Sequence, residues 1–176
     1  MACVLTTGRA EPCLDAVGGL STVYFFDRID DAFTITAGEA TAMNVALTSA
    51  YQYDLKSDNN NLEESSVTSK NDGTTVVNQT LAFSLKKQDK DTANEIKLLA
   101  AAQPGCVVKD RMGNYKIVGL EDGIVVSGTG LSGGAKGEFN GYNLTGIGEE
   151  TSFAPTLDGA TVTAFLAIVS ATQISV

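Results

Sequence analysis

Short runs of β-branched and aromatic residues, separated by turn-forming residues, occur along most of the chain and constrain its fold more than any other feature. Residues 21–26 and 32–36 are two such runs, and residues 44–55 predict a longer strand. A length of 176 residues suffices for one sizeable core but hardly for two. We therefore predict a mainly β chain that forms a single domain over residues 1–176.

A long polar hairpin is predicted over residues 56–75. Residues 62–70 are extended in character but poor in apolar residues, and Asn71-Asp72-Gly73 is a strong tight-turn signal. The returning strand, residues 74–85, alternates clearly, with Val77, Leu81, Phe83 and Leu85 on one face and Asn78, Thr80 and Ser84 on the other. Because two unsupported strands are marginal in water, the hairpin is either a flexible loop or an arm that docks on another subunit.

One helix is predicted, over residues 92–102. Thr92 and Glu95 have the spacing of a capping box, and Ile96 and Leu99 begin an apolar stripe. The Pro104-Gly105 pair ends the run. We expect this helix to cover one edge or face of a sheet.

The rest of the chain is again β in character, apart from the first twenty residues. Residues 1–20 predict an irregular arm, which either precedes the core or packs on a neighbouring subunit. The predicted C-terminal elements are strands at 106–109, 115–120, 124–127 and 142–146, a flexible glycine-rich connection at 128–141, and a buried strand at 161–169.

Charge argues against nucleic-acid recognition. The formal net charge is −9 and the sequence pI is about 4.4. Binding to phosphate backbones needs clustered Lys and Arg, whereas the basic residues here are scattered. A DNA-reading role is therefore disfavoured.

Residues for common catalytic and metal sites are missing or wrongly spaced. The chain has no histidine, so a Ser-His-Asp or Cys-His arrangement cannot form, and Cys3, Cys13 and Cys106 lack zinc-site spacing. Residues 128–133 fit G-x-G-x-x-G, but more glycine and then a strand follow them, where a phosphate loop needs a helix. The paired carboxylates lie in turns and polar loops. We expect no enzyme activity, no cofactor and no metal.

Targeting and membrane segments are not predicted either. The start of the chain lacks the basic stretch and apolar run of a secretory signal, so we expect it to stay in the cytoplasm where it is made. The most apolar segment, residues 160–169, is shorter than the roughly 20 residues of a membrane-spanning helix.

The order of these elements, an arm, strands, a long polar hairpin, a capped helix, a meander and terminal strands, resembles that of bacteriophage tail-tube proteins and their secretion-system tube relatives. Three segments are similar to ones common in phage structural proteins, namely Val-Val-Lys-Asp-Arg-Met-Gly-Asn-Tyr-Lys-Ile-Val-Gly-Leu-Glu-Asp-Gly at 107–123, Phe-Asn-Gly-Tyr-Asn-Leu-Thr at 139–145 and Gly-Glu-Glu at 148–150. The resemblance extends over most of the chain.

The resemblance implies a β-sandwich or barrel-like core with one flanking helix, a projecting hairpin and an N-terminal arm. It also implies hexameric rings that stack into a hollow tube in the virion tail, assembled in the host cytoplasm, with an acidic lumen through which DNA passes. Expected partners are further copies, a terminator, a baseplate or hub protein, a tape measure and, in a contractile tail, a sheath. The hairpin and arm would then make the contacts between subunits, through Asp58, Asn59, Asn60, Leu62, Val67, Asn71, Arg9 and Pro12.

Two alternatives stay open at the level of sequence. A head-tail connector or neck protein of the virion would form one closed ring instead of a filament. A capsid-decorating or carbohydrate-binding β-module would be a monomer with a mobile loop at residues 56–75.

Overall fold

The computed structural model describes residues 7–11 and 13–170. The elements in this part of the chain are β1 (Leu20–Phe26), β2 (Phe33–Thr36), β3 (Glu39–Met43), β4 (Tyr51–Asp54), β5 (Asn61–Ser69), β6 (Thr74–Lys86), α1 (Lys90–Ala102), β7 (Gly105–Asp110), β8 (Tyr115–Val118), β9 (Val125–Leu131), β10 (Gly141–Glu150), β11 (Thr156–Leu157) and α2 (Gly159–Ala167). The prediction of a mainly β fold is confirmed.

Two sheets form the framework. The larger has the strand order β2-β3-β11-β8-β7-β1-β4, and the smaller has the order β5-β6-β10-β9. Side chains from both sheets meet in one cluster that includes Phe25, Phe83, Val108 and Leu144, so the sheets pack face to face. Leu99 of α1 joins the same cluster.

The central strands of the larger sheet, such as β1 and β7, are buried on both faces, and β1 shows why. Val23 and Phe25 point into the core between the sheets, whereas Tyr24 and Phe26 point into a second cluster that contains Phe165 of α2. Because successive side chains of a strand alternate between faces, a strand covered on both sides needs a continuous apolar run. The molecule therefore has three layers, in the order small sheet, large sheet, α2.

The predicted hairpin is confirmed as the antiparallel pair β5 and β6, closed by a turn in which Gly73 has φ +69°. However, residues 77–86 of β6 also pair with β10 on the other side. The part that extends beyond β10 is therefore limited to residues 67–76, which we call the hairpin tip. Most of the hairpin is a supported part of a four-stranded sheet.

Helix α1 begins two residues before its predicted start. The carboxylate of Asp89 accepts hydrogen bonds from the amides of Asp91 (2.8 Å) and Thr92 (2.9 Å), so Asp89 is the N-cap. Thr92 lies inside the first turn and is buried. The capping box predicted for Thr92 and Glu95 is therefore wrong.

The predicted buried strand at 161–169 is also wrong, because this segment forms helix α2. Asp158 caps it by accepting from the amide of Thr161 at 2.6 Å. Thr161 and Phe165, four residues apart, form its buried face. The β-branched composition favoured a strand, but the cap and the contacts of Phe165 with the large sheet favour the helix.

Several further boundaries differ from the predictions; for example, β8 ends at Val118 where residue 120 was predicted, and β10 spans Gly141–Glu150 where 142–146 was predicted. In the predicted strand 44–55 only Tyr51–Asp54 is a strand, because the side chain of Asn44 accepts from the amide of Ala46 (3.0 Å) and forms a local turn. In the glycine-rich segment, β9 continues to Leu131, so the connection itself is shorter than predicted. The described arm residues, 7–11 and 13–18, are exposed and irregular.

Candidate self-assembly surfaces

The outward face of the small sheet is covered with short polar side chains. The inward residues of each strand form the core, so the alternate residues point away from it. These outward residues include Ser65, Asn78, Thr80, Ser84, Ser127, Thr129, Asn143 and Thr145. Charges on this face are Glu63, Glu149 and Lys86, and Val125 and Ile147 form an apolar cross-strand pair. The face is weakly charged and slightly acidic.

Strands β5 and β9 are the two edges of this sheet. Outside their pairing with β6 and β10, the described residues of the chain make one further backbone hydrogen bond to β5, from Gly73 to the carbonyl of Ser69, and none to β9. Three antiparallel pairings separate the two edges, so β5 and β9 run in opposite directions. In a ring of copies, β9 of one subunit would therefore lie antiparallel to β5 of the next.

Helix α1 lies beside the β9 edge. Its inner face buries Thr92 and Leu99, and its outer surface leaves Leu98 60% exposed. Ala101 and Ala102, three and four residues further along, are exposed as well. An apolar strip thus runs along the outer side of this helix.

A cleft of about 230 Å³ lies at the opposite edge, between β5 and strands β7 and β8 of the large sheet. Leu20, Leu62 and Val108 give it an apolar floor, and Val17 of the arm forms one wall. Its polar lining residues are Asn61, Asp110, Asn114 and Lys116. Lys116 also forms an ion pair with Glu64 (Nζ to Oε2, 3.2 Å), which links the two sheets at this edge.

Two buried polar groups fix the corner between β8 and β9. The side chain of Gln79, 1% exposed, accepts a hydrogen bond from the amide of Gly119 at 3.0 Å. Both carboxylate oxygens of Glu150 accept from the amide of Glu121, each at 3.1 Å. Burial raises the pKa of Glu150 above its ordinary value, and the nearby charge of Glu121 acts in the same direction. Neither group was predicted from the sequence.

The predicted contact residues fall into two groups at opposite ends of β5. Val67 lies in the hairpin tip and Asn71 in its turn, and both are exposed. Asp58 and Asn59, also exposed, lie about 27 Å away at the other end of the strand. Asp58 pairs with Arg111 at 3.2 Å. The contacts predicted from the sequence are thus divided between two surfaces.

Among the other predicted contact residues, Asn60 needs a correction. It is 1% exposed, and its side chain donates to the carbonyl of Ser57 (2.7 Å) and accepts from the amide of Ser84 (2.9 Å). Asn60 therefore holds the base of the hairpin within the chain and presents no side chain to a neighbour. Leu62 is half-buried and lines the cleft, Arg9 is exposed, and Pro12 lies outside the described residues.

The sequence predicted a strand at 124–127, but it did not predict that this strand lies at a sheet edge or that Leu98 is exposed beside it. Leu98 lies outside the buried stripe of α1, so the helical periodicity of the sequence is sufficient to predict that it is exposed. The identity of the edge strands has no local signal, because strand order is a property of the whole sheet.

Groups that could carry other chemistry are sparse in the described residues. No cluster of three or more cysteine, aspartate or glutamate side chains in residues 7–11 and 13–170 is arranged to hold a metal ion. Cys106 is completely buried, and burial raises the pKa of its thiol. None of the helices in the described segments is long and apolar enough to cross a membrane.

Comparison with known proteins found no match to the chain among family models, curated proteins or solved structures.

Proposed function

We propose that this chain is a virion structural subunit of the tail-tube type, which self-assembles into rings that stack into a hollow conduit for DNA. The observation that carries this proposal is the four-stranded sheet, with its two free edges of opposite direction and its weakly charged outward face. Open edges are normally protected in monomeric proteins because they pair with other chains. A closed ring removes them.

The strand directions of one subunit are compatible with ring closure. Each copy would contribute four antiparallel strands, so the alternation of direction continues across every junction. A continuous barrel of six copies would contain 24 strands, with a backbone diameter of at least about 37 Å before strand tilt widens it. The large sheet and α2 add bulk behind the small sheet and belong on the convex side. The outward polar face would therefore line the lumen.

The chemistry of that face suits the passage of a polyanion. Serine, threonine and asparagine side chains predominate, and Glu63 and Glu149 outnumber the one cation, Lys86. Tight binding of DNA needs several Lys or Arg contacts to phosphates. A lumen that lacks them would let DNA slide without being captured.

Stacking of rings would use the ends of the small sheet. The hairpin tip projects from one end, and the arm leaves the body at the other, next to Asn60, whose carbonyl accepts from the amide of Leu20. Contacts between unlike ends are heterologous and continue indefinitely. A terminator, a tape measure and a baseplate or hub protein, with a sheath in a contractile tail, would then set the length and the ends.

A connector that forms a single closed ring is the second candidate, since it would use the same two sheet edges. The projecting hairpin tip favours the stacked tube, because a two-stranded extension gains stability when it docks on another ring.

The first experiment measures the assembly state of the purified protein by light scattering and negative-stain microscopy. We expect rings and tubes. A stable monomer at high concentration would refute self-assembly, and single rings without tubes would favour the connector.

Proline substitutions at the β9 edge test the pairing itself. Successive N–H groups along a strand point to opposite sides, so of Thr129 and Gly130 one directs its N–H to β10 and the other directs it away from the sheet. Proline removes the N–H group, so one of the variants Thr129→Pro and Gly130→Pro loses the donor at the free edge and the other disturbs the pairing with β10. We expect the better-folded variant to be monomeric. The matched control is Thr36→Pro in the exposed edge strand β2 of the large sheet, which should assemble normally.

A further inference from the structure

We infer that α1 of one subunit seats Leu98 in the cleft beside β5 of the next subunit. This inference rests on the proposed self-assembly and adds to it a specific side-by-side contact, separate from the pairing of the strand edges. Its partner is a second copy of this chain.

The positions of the two features lead to this contact. Helix α1 lies beside β9, and the cleft lies beside β5. These strands are the opposite edges of one sheet, separated by three strand spacings, or about 14 Å. When copies are joined edge to edge, the helix beside β9 meets the cleft beside the neighbour's β5. One copy cannot make this contact with itself.

The surfaces are chemically complementary. Leu98 is 60% exposed, and the exposed Ala101 and Ala102 leave room for close approach. The cleft offers Leu62 in its floor and Val17, 57% exposed, in its wall. Joining them would remove apolar surface of both copies from water.

Charge at the rim is also compatible with this arrangement. Lys97 precedes Leu98 on the exposed side of α1, and Asp110 lies among the cleft residues, where its carboxylate accepts from the amide and the side chain of Asn114. The cation in the same lining, Lys116, is paired with Glu64. An opposite pair at the rim would guide the register of the contact, while the apolar centre would supply most of its free energy.

The substitution Leu98→Glu tests the contact, with Leu166→Glu as the matched control on the exposed side of α2. A carboxylate placed on the apolar floor of the cleft, near the carboxylate of Asp110, is costly. We expect Leu98→Glu to raise the concentration needed for half-assembly by about thirtyfold or more, the range of an interface hot spot. The control should assemble as the wild type does.

Crosslinking provides a second measurement that does not depend on how well Leu98→Glu folds. In a Cys3→Ser, Cys13→Ser background, Leu98→Cys combined with Val17→Cys should give a ladder of disulfide-linked multimers. Only disulfides between copies produce such a ladder, because a disulfide within one chain leaves its mass that of a monomer. Leu166→Cys combined with Val17→Cys is the control and should give none.

The outcomes separate the two proposals. Tubes formed by Leu98→Glu at wild-type concentrations, or a missing ladder in assembled protein, would overturn the α1 contact and leave the tube proposal intact. A monomeric wild-type protein would overturn the tube proposal itself.

Discussion

Gln79 is the residue whose replacement tests the structure most directly. Its side chain lies between the two sheets and accepts the hydrogen bond of the Gly119 amide at 3.0 Å. Gly119 has φ +67°, and a Cβ at this position would lie 2.7 Å from the backbone of Gly123. The backbone at Gly119 is therefore closely packed against Gly123 in the conformation that directs its N–H to Gln79.

The substitution Gln79→Leu places an apolar side chain of similar size in the core and removes the acceptor. A buried donor left without a partner costs about 1–3 kcal/mol. We therefore expect the free energy of unfolding to fall by about 2 kcal/mol. For a chain of this length, that corresponds to a decrease in Tm of about 4–8 °C.

Thermal unfolding followed by circular dichroism, at one protein concentration for all variants, measures this difference. The control is Thr80→Val, the next residue of β6, which points to the opposite face and is partly exposed. We expect it to change stability by no more than about 0.5 kcal/mol. If Gln79→Leu changes stability as little as the control, the hydrogen bond to Gly119 does not stabilise the corner as described.

Two further predictions concern the hairpin tip and a buried carboxyl group. Replacing residues 67–76 with Asn-Gly joins the paired residues Ser66 and Val77 through a two-residue turn. We expect this variant to form folded rings that no longer stack in electron micrographs. Normal tubes would contradict a stacking role for the hairpin tip. Burial raises the pKa of Glu150, so the folded state binds the proton of this carboxyl group more tightly than the unfolded state does. Ionised Glu150 therefore lowers the free energy of unfolding at pH values above its folded pKa. This destabilisation disappears below the ordinary pKa of 4.5, where the group is protonated in both states. Glu150→Gln should therefore unfold at a higher temperature than the wild type at pH 8, by a margin that shrinks towards pH 4, and a margin that does not change with pH would contradict this.

Local patterns predicted the elements that depend on neighbouring residues. The alternation of apolar and polar residues over 74–85 and the Asn-Asp-Gly turn predicted β5 and β6. Both the face on which a strand residue lies and the geometry of a turn depend on only a few consecutive residues. The apolar stripe of Ile96 and Leu99 predicted α1 for the same reason, although its cap at Asp89 lay just outside the expected start.

Contacts between distant residues decided the elements that the sequence left ambiguous. Residues 159–167 have a strand-like composition, but Phe165 packs against Tyr24, Phe26 and Phe33 of the large sheet as a residue of a helix. Asn60 resembles other polar loop residues in sequence, and only its bonds to Ser57 and Ser84 show that it is buried. Intrinsic preference is weak enough for tertiary packing to override it.

The sequence by itself determined the class of the fold, the hairpin, the first helix and the absence of histidine chemistry, because composition and short-range periodicity specify these properties. Only the tertiary structure decided that β5 and β9 are the free edges, that α1 lies beside one of them and that a cleft lies beside the other. Strand order joins residues far apart along the chain, and no local pattern encodes which edges stay unpaired. The surfaces on which the proposed assembly depends are for that reason visible only in the folded molecule.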